Sequence, residues 1–291
     1  MAELTPIDGF VWTSEAWGPA LRSSALGGTA DHFFTTRQLR LRGEGEVEDW
    51  RRVAATIGVP PARLLRLTQV HGRAVFVHRG GDGRPAAQDS LGGGTPTDPG
   101  TDVDWPEADI AMTDDPTVAL AIQVADCVPL LLADALTGAV AAVHTGWRGT
   151  AAGAAQAAVE AFRREFGVDP GRIVAAQGPS IGPCCYEVGD ELIDAFRAGG
   201  FAPGIDRWFV RGDRGELALD VGAANRDQLI ASGVRADAVH VPNLCTASRP
   251  DLFASYRRDG PGTGRMAAVI RSRRGRQRTG REAGLADAAG S

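Results

Sequence analysis

The 291-residue sequence contains no lysine; all 31 basic residues are arginine. That excludes Schiff-base lysine chemistry, including pyridoxal phosphate anchoring. It also excludes the Walker A phosphate loop and the lysine of protein kinases. Long apolar runs are missing as well. The longest, Val128–Ala133, is strand-sized, far short of the ~18 residues of a membrane helix. Four cysteines, Cys127, Cys184, Cys185 and Cys245, are scattered through a long chain and do not read as a disulfide framework. Residues 1–19 lack the charged-then-apolar pattern of a leader, so a cytoplasmic protein with free thiols is expected. A net charge of −5 implies no dominant basic surface; neither nucleic acid nor a membrane is an expected partner.

What is present reads as ordinary globular sequence, with apolar segments of two periods. Residues 32–37 read as a strand, after an opening stretch read as irregular. Residues 46–57 predict a helix with Trp50, Val53, Ala54 and Ile57 on one face, stopped by Val59-Pro60-Pro61. Residues 65–77, carrying Gln69-Val70-His71-Gly72, predict a strand, a glycine turn and a returning strand. Residues 80–101 predict a loop. Residues 108–113, 118–124, 128–133 and 140–144 predict buried strands, followed by one alanine-rich helix over 149–166. Further strands are expected at 173–177, around 208–219, at 238–241 and at 265–271, with helices over 189–198 and 221–232. The expectation is α+β, with layered mixed β-sheets and flanking helices in a single domain over 1–271. An arginine-rich, disordered tail is expected over 272–291.

Only five histidines exist. His32, His78 and His240 lie in or beside apolar strands, where packing or hydrogen bonding is expected. His71 and His144 instead end apolar strands beside glycine-containing turns, where rigid scaffolds present reactive side chains. Cys127, between Asp126 and Pro129, reads as part of a bend. Two strand-like segments and a short turn join Cys127 to His144, and such a hairpin brings its outer ends together. Two imidazoles and a thiolate suggest a three-ligand zinc site with an open fourth position. The same residues also suit a Cys–His hydrolase with Cys127 as nucleophile and His144 as base, and spacing leaves both readings open. Adjacent Cys184 and Cys185 are not expected to chelate one ion; with Cys245 they read as loop-packing residues. Arg148, at the start of the expected long helix, reads either as an anion site or as a surface ion pair.

Several motifs occur in a fixed order: Thr-Thr-Arg at 35–37, Gln-Val-His-Gly at 69–72, Ala-Asp-Ile-Ala-Met-Thr at 108–113 and Ala-Asp-Cys-Val-Pro at 125–129. His-Thr-Gly-Trp-Arg-Gly at 144–149, Gly-Pro-Ser-Ile-Gly-Pro-Cys-Cys-Tyr-Glu-Val-Gly at 178–189 and Asn-Leu-Cys-Thr at 243–246 follow, then Ser-Tyr-Arg-Arg-Asp-Gly and Thr-Gly-Arg within 255–265. Together they resemble the YfiH family over roughly residues 33–270. That family is known under polyphenol oxidase, laccase-domain and purine nucleoside phosphorylase names. The resemblance implies that His71, Cys127 and His144 are metal ligands. It also implies a fold similar to a cysteine-hydrolase toxin domain. The sequence departs from the family after Arg37, where Gln-Leu-Arg-Leu-Arg stands in place of a glycine-rich loop and a Ser-Leu-Asn-Leu stretch. Substrate contacts from that loop are expected to differ here.

The residues rank the family's activities. Multicopper oxidation needs several histidine-rich ligand sets, which five histidines do not build. One Zn²⁺ with an open position lowers the pKa of bound water to about 7 and so suits hydrolytic deamination of adenosine. Arginines near the site suit phosphorolysis. The expectation is therefore a zinc-dependent purine nucleoside phosphorylase acting on adenosine, inosine and S-methyl-5'-thioadenosine, with adenosine deaminase activity. His71, Cys127 and His144 hold Zn²⁺, with Cu²⁺ as the alternative occupant. Arg148 and Arg37 hold phosphate or ribose hydroxyls, and Asp126 orients a ligand or relays a proton. The alternatives are a Cys–His amidase editing peptidoglycan precursors, a copper-dependent polyphenol oxidase, and a metal-dependent binding module. The nucleoside and phosphate are the expected partners of a monomer.

Overall fold

The computed structural model describes residues 4–79, 105–212 and 215–273. The expected loop at 80–101 and nearly all of the expected tail lie outside those residues. Two six-stranded mixed sheets face each other. In the first, the order is Phe10–Glu15, Gly18–Ser23, Ala30–Phe34, Met266–Ser272, Ala119–Val124 and Leu64–Leu65. In the second it is Val239–His240, Val174–Gln177, Val128–Ala133, Val140–Thr145, Ile110–Thr113 and Val75–His78. Helices cover the outer face of each, giving the layered α+β architecture expected from the sequence.

The strand period of two explains the layers. Phe34 points between the sheets with Leu120, Ile122 and Ile270, while Phe33 points outward against Trp50, Val53 and Ile57 of the helix Glu46–Ile57. In Val128–Ala133 the residues Val128, Leu130 and Leu132 meet Val159 and Phe162 of the outer helix Ala154–Phe166; Leu131 and Ala133 meet the first sheet. A strand covered on both faces has no polar position to offer, hence its unbroken apolar run. Pro129 is tolerated there because pairing with Val174–Gln177 begins only at Leu130.

Three elements differ from expectation. The opening stretch forms an antiparallel hairpin, Phe10–Glu15 with Gly18–Ser23, at the edge of the first sheet. Its outer residues are mixed, which hid the alternation. The helix expected over 149–166 is two helices, Trp147–Ala151 and Ala154–Phe166, because Gly153 adopts φ +80° between them. Finally, the strand–turn–strand expected at 65–77 keeps only Leu64–Leu65 and Val75–His78 as strand. The stretch between keeps one isolated bridge, Thr68 with Glu107, and is otherwise fastened by side chains. Gln69 Nε2 donates to the Gln123 carbonyl at 2.8 Å, and the Gln123 N–H donates to Gln69 Oε1 at 2.7 Å.

Candidate metal centre

The hairpin of Val128–Ala133 and Val140–Thr145 builds the centre. Buried Asp134 closes its turn, accepting from the Thr137 N–H at 3.1 Å and the Thr137 hydroxyl at 2.9 Å. The resulting register pairs Val128 with Thr145 and Pro129 with His144. Cys127, one residue before the strand, thus comes beside His144. His71 arrives from the irregular stretch between Leu65 and Val75 with φ +61°, a left-handed conformation that a histidine adopts only when held there. The donor atoms of His71, Cys127 and His144 all lie within 4.8 Å of one another. The two imidazole rings stand edge to face, with centroids 4.8 Å apart.

One carboxylate holds both histidines. Asp109 is fully buried, and its Oδ1 accepts from His144 Nδ1 at 2.7 Å and from the His71 N–H at 3.0 Å. Its Oδ2 accepts from the Gly72 N–H at 2.6 Å. The bond to Nδ1 leaves His144 Nε2 for a ligand, the arrangement common to metal-binding histidines. Burial on its own raises the Asp109 carboxyl, yet the bonds from His144, Gly72 and His71 bring it below the ordinary carboxylate range. Sequence reasoning missed Asp109. The available signal was a carboxylate immediately before a strand, Ile110–Thr113, that is otherwise fully buried.

Burial opposes charge at Cys127 and His144, and their mutual attraction overcomes it. The Cys127 thiol is drawn down to about 6, against burial, by the His144 charge and by hydrogen bonds from His144 and His71. His144 rises to about 9, against burial, through Cys127 and Asp109. A ready thiolate and two imidazoles make a donor set that suits Zn²⁺ or another borderline cation, with three protein ligands and one side open.

Space around the cluster is tightly used. A β-carbon on Gly146 would stand 2.8 Å from Cys127 Sγ and 3.3 Å from His71 Cδ2, so only glycine leaves room for the triad. The triad lies in the wall of a cavity of about 890 Å³. Four arginines line it: Arg42, Arg148, Arg257 and Arg265. Arg148 stands over the Trp147 ring at 4.3 Å and Arg257 over Tyr186 at 5.0 Å.

The other predicted residues separate. Arg37 does not line the cavity; its guanidinium donates to the Pro250 carbonyl at the surface. Asp126 does line it, but its oxygens are taken by the Thr246 hydroxyl at 2.6 Å, the Ser255 hydroxyl at 3.0 Å and the Arg257 N–H at 2.6 Å. It has φ +85° and bears on the centre by fixing the bend before Cys127, whereas the carboxylate bonded to His144 is Asp109. His32 accepts from the Ser23 N–H at 2.8 Å, and His78 lies 3.3 Å from Asp115. All four cysteines are free. Cys185 and Cys245 pack against the core, as expected, and with Cys184 they gather their sulfurs within 4.8 Å of one another. No helix among the described residues is long and apolar enough to cross a membrane.

A two-sheet α+β sandwich with a His–Cys–His donor cluster in an arginine-lined cavity defines the class. The chain belongs to the family described as multi-copper polyphenol oxidoreductase laccase, whose model matches residues 44–273. It is 37% identical over 224 residues to the purine nucleoside phosphorylase YlmD of Geobacillus stearothermophilus, covering 77% of this chain and 77% of that protein. It is 40% identical over 154 residues to adenosine deaminase RL5 of an unknown prokaryotic organism, covering 53% of this chain and 58% of that one. The crystal structure of the Bacillus licheniformis protein YfiH superposes with a TM-score of 0.76 at 28% identity, covering 90% of this chain and 99% of that one.

Proposed function

We propose that the protein is a zinc-dependent purine nucleoside phosphorylase that also deaminates adenosine. The observation that carries this reading is the His71–Cys127–His144 cluster opening onto a cavity lined by four arginines. Names of relatives at 37% and 40% identity point the same way.

His71, Cys127 and His144 would hold the cation, which when bound supplies a Lewis acid at the open side of the cluster. Asp109 keeps His144 in the tautomer that presents Nε2. Arg42, Arg148, Arg257 and Arg265 take the roles expected of Arg148 and Arg37: they bind phosphate and hold it against the anomeric carbon of the ribose. The new bond forms from a phosphate oxygen to that carbon as the bond to the purine nitrogen breaks. The faces of Trp147, Tyr186 and Tyr256 receive the base. Phosphorolysis is favoured over deamination as the main reaction by the charge of the wall. Asp126 is the only carboxylate among the described lining residues, and its oxygens already accept three bonds. Multicopper oxidation is disfavoured because only two histidines converge.

A specific observation favours a second reading. Asp109, His144 and Cys127 are ordered as the orienter, base and nucleophile of a Cys–His amidase. His71, held by the same carboxylate, is the donor that such a dyad does not need. The test is metal content of protein purified without added metal, together with chromatography of adenosine reactions with and without phosphate. At least one zinc per chain, with adenine formed only when phosphate is present, is the expected result. Cys127→Ala should lose turnover together with the cation of the triad. A metal-replete, active C127A protein, or activity on a peptidoglycan precursor that survives complete chelation, would overturn the proposal.

A further inference from the structure

Away from the triad, the described residues hold one other convergence of metal-ligating side chains. We infer that Cys184, Cys185 and Cys245 form a second, all-sulfur site for a soft d¹⁰ cation, Cu⁺ or Zn²⁺. The sulfurs of Cys184 and Cys185 are 3.5 Å apart, and all three lie within 4.8 Å of one another. Thiolates bound to one ion at ~2.3 Å stand roughly 3.8 Å apart, so small side-chain rotations complete the set. Neighbouring cysteines ordinarily diverge. Here a tight turn, closed by the Cys185 N–H donating to the Gly182 carbonyl at 3.0 Å, presents both on one side.

The scaffold of this cluster is built before any ion arrives. The loop carrying Cys184 and Cys185 is tied to the one carrying Cys245 by the Ser180 N–H donating to the Leu244 carbonyl at 3.2 Å and the Thr246 N–H donating to the Ser180 carbonyl at 3.0 Å. The Gly182 N–H donates to Cys245 Sγ at 3.3 Å, a bond that serves a sulfur carrying negative charge. Both Cys184 and Cys245 border a second cavity, of about 620 Å³. In its wall Gln177 is only 3% exposed, and its Oε1 has no partner among the protein groups.

The donor set selects the guest. Three sulfurs, with no imidazole or carboxylate in the group, disfavour Mg²⁺ and Ca²⁺ and favour Cu⁺, which is content with three thiolates, or Zn²⁺ with one added water. Binding is not a redox step: three S–H protons leave to solvent as three sulfur–metal bonds form. Its position also gives it a consequence. Ile181 lines both cavities, and Tyr186, directly after Cys185, lines the main one. An ion at the three sulfurs therefore ties the loop of Ile181 and Tyr186, which walls the main cavity, to the loop that carries Cys245.

This inference stands apart from the nucleoside reading, and its test uses neither substrate nor turnover. Full-length C127A protein, in which the triad is broken, is reduced with a thiol-free reductant under argon. It is then titrated in separate arms with Cu⁺ and Zn²⁺ against a chromophoric chelator. C127A should still take up one cation per chain, with a sulfur-to-metal charge-transfer band in the Cu⁺ arm. C127A/C245S and C127A/C184S/C185S should take up none, a loss of at least ~100-fold in affinity. Whichever arm binds more tightly identifies the ion. Because Cys184 is exposed, C127A/C184S is the variant least able to disturb folding, and circular dichroism of each metal-free protein checks that it is folded. The inference is overturned if C127A binds neither cation, or if folded C127A/C184S and C127A/C245S bind as tightly as C127A.

Discussion

Replacing Asp109 by asparagine changes one oxygen to an NH₂ group at the point where both histidines are held. The carboxylate accepts three bonds, two at Oδ1 and one at Oδ2. An asparagine has one acceptor oxygen, so one set must fail. If the amide nitrogen takes the Oδ1 place, it donates to His144 Nδ1 and forces the proton onto Nε2, the atom needed for a ligand. If it takes the Oδ2 place, the Gly72 N–H is left facing a donor and the turn that carries His71 loosens. Loss of such a supporting carboxylate typically lowers metal affinity about 10–100-fold, or roughly 1.4–2.7 kcal/mol. The unanswered buried donor costs folding stability a further ~1–3 kcal/mol. Competition against a zinc chelator measures the first quantity and urea unfolding of the metal-free protein the second. A folded D109N protein whose zinc affinity and turnover both stay within about threefold of wild type would refute the reasoning, because Asp109 would then only fill space.

Other expectations follow from the same geometry. Gly146→Ala pushes a methyl against Cys127 Sγ and His71; the triad's metal affinity and turnover should fall about 100-fold while the melting temperature of the metal-free protein moves little, and unchanged turnover would show that the triad has slack. In metal-free protein, alkylation of Cys127 by iodoacetamide should accelerate as pH rises through about 6 and be suppressed by added zinc. Mass spectrometry of the labelled peptide reads both effects. His32 is held neutral, its pKa pushed by burial from 6.5 to about 4. The unfolded chain therefore binds the proton first, and the contribution of His32 is complete above pH 6.5 and lost as pH falls toward 4. The loss is about 3 kcal/mol. Between pH 7.5 and 4.5, urea unfolding should show wild type losing about 2.5 kcal/mol more than His32→Gln.

What could be read from sequence was whatever local chemistry decides. The helix Glu46–Ile57 and the strand Val128–Ala133 have the bounds their patterns predict, because a one-sided apolar stripe and a fully apolar run each admit one solution. Cys127 and His144 could be brought together because a hairpin is a local object. His71 was singled out by its glycine turn and matched by the family resemblance, although spacing alone could not bring its stretch to the hairpin. Asp109 was not legible, since its importance comes from the neighbouring strand that sets it against His144. Nor were Arg42, Arg257 and Arg265, gathered around one cavity from distant segments. The gathering of Cys184, Cys185 and Cys245 was not legible, since it depends on the turn at Gly182 and on the meeting of two distant loops. Gly153 was read as one more small residue in a helix when its left-handed backbone is what ends the first helix.

The strand Met266–Ser272 pairs with Ala30–Phe34 on one side and with Ala119–Val124 on the other. It is the keystone of the first sheet, and it is the last described strand to leave the ribosome. Until it arrives, two apolar strand edges stand unpaired and the inter-sheet core lacks Ala268 and Ile270. A nascent chain can complete the metal-bearing second sheet early but must wait for its final segment to close the first, a window in which exposed edges invite aggregation. Chains truncated before residue 266 should therefore be insoluble rather than merely weakened, and a peptide spanning 266–273, supplied in trans, is the natural candidate to rescue them.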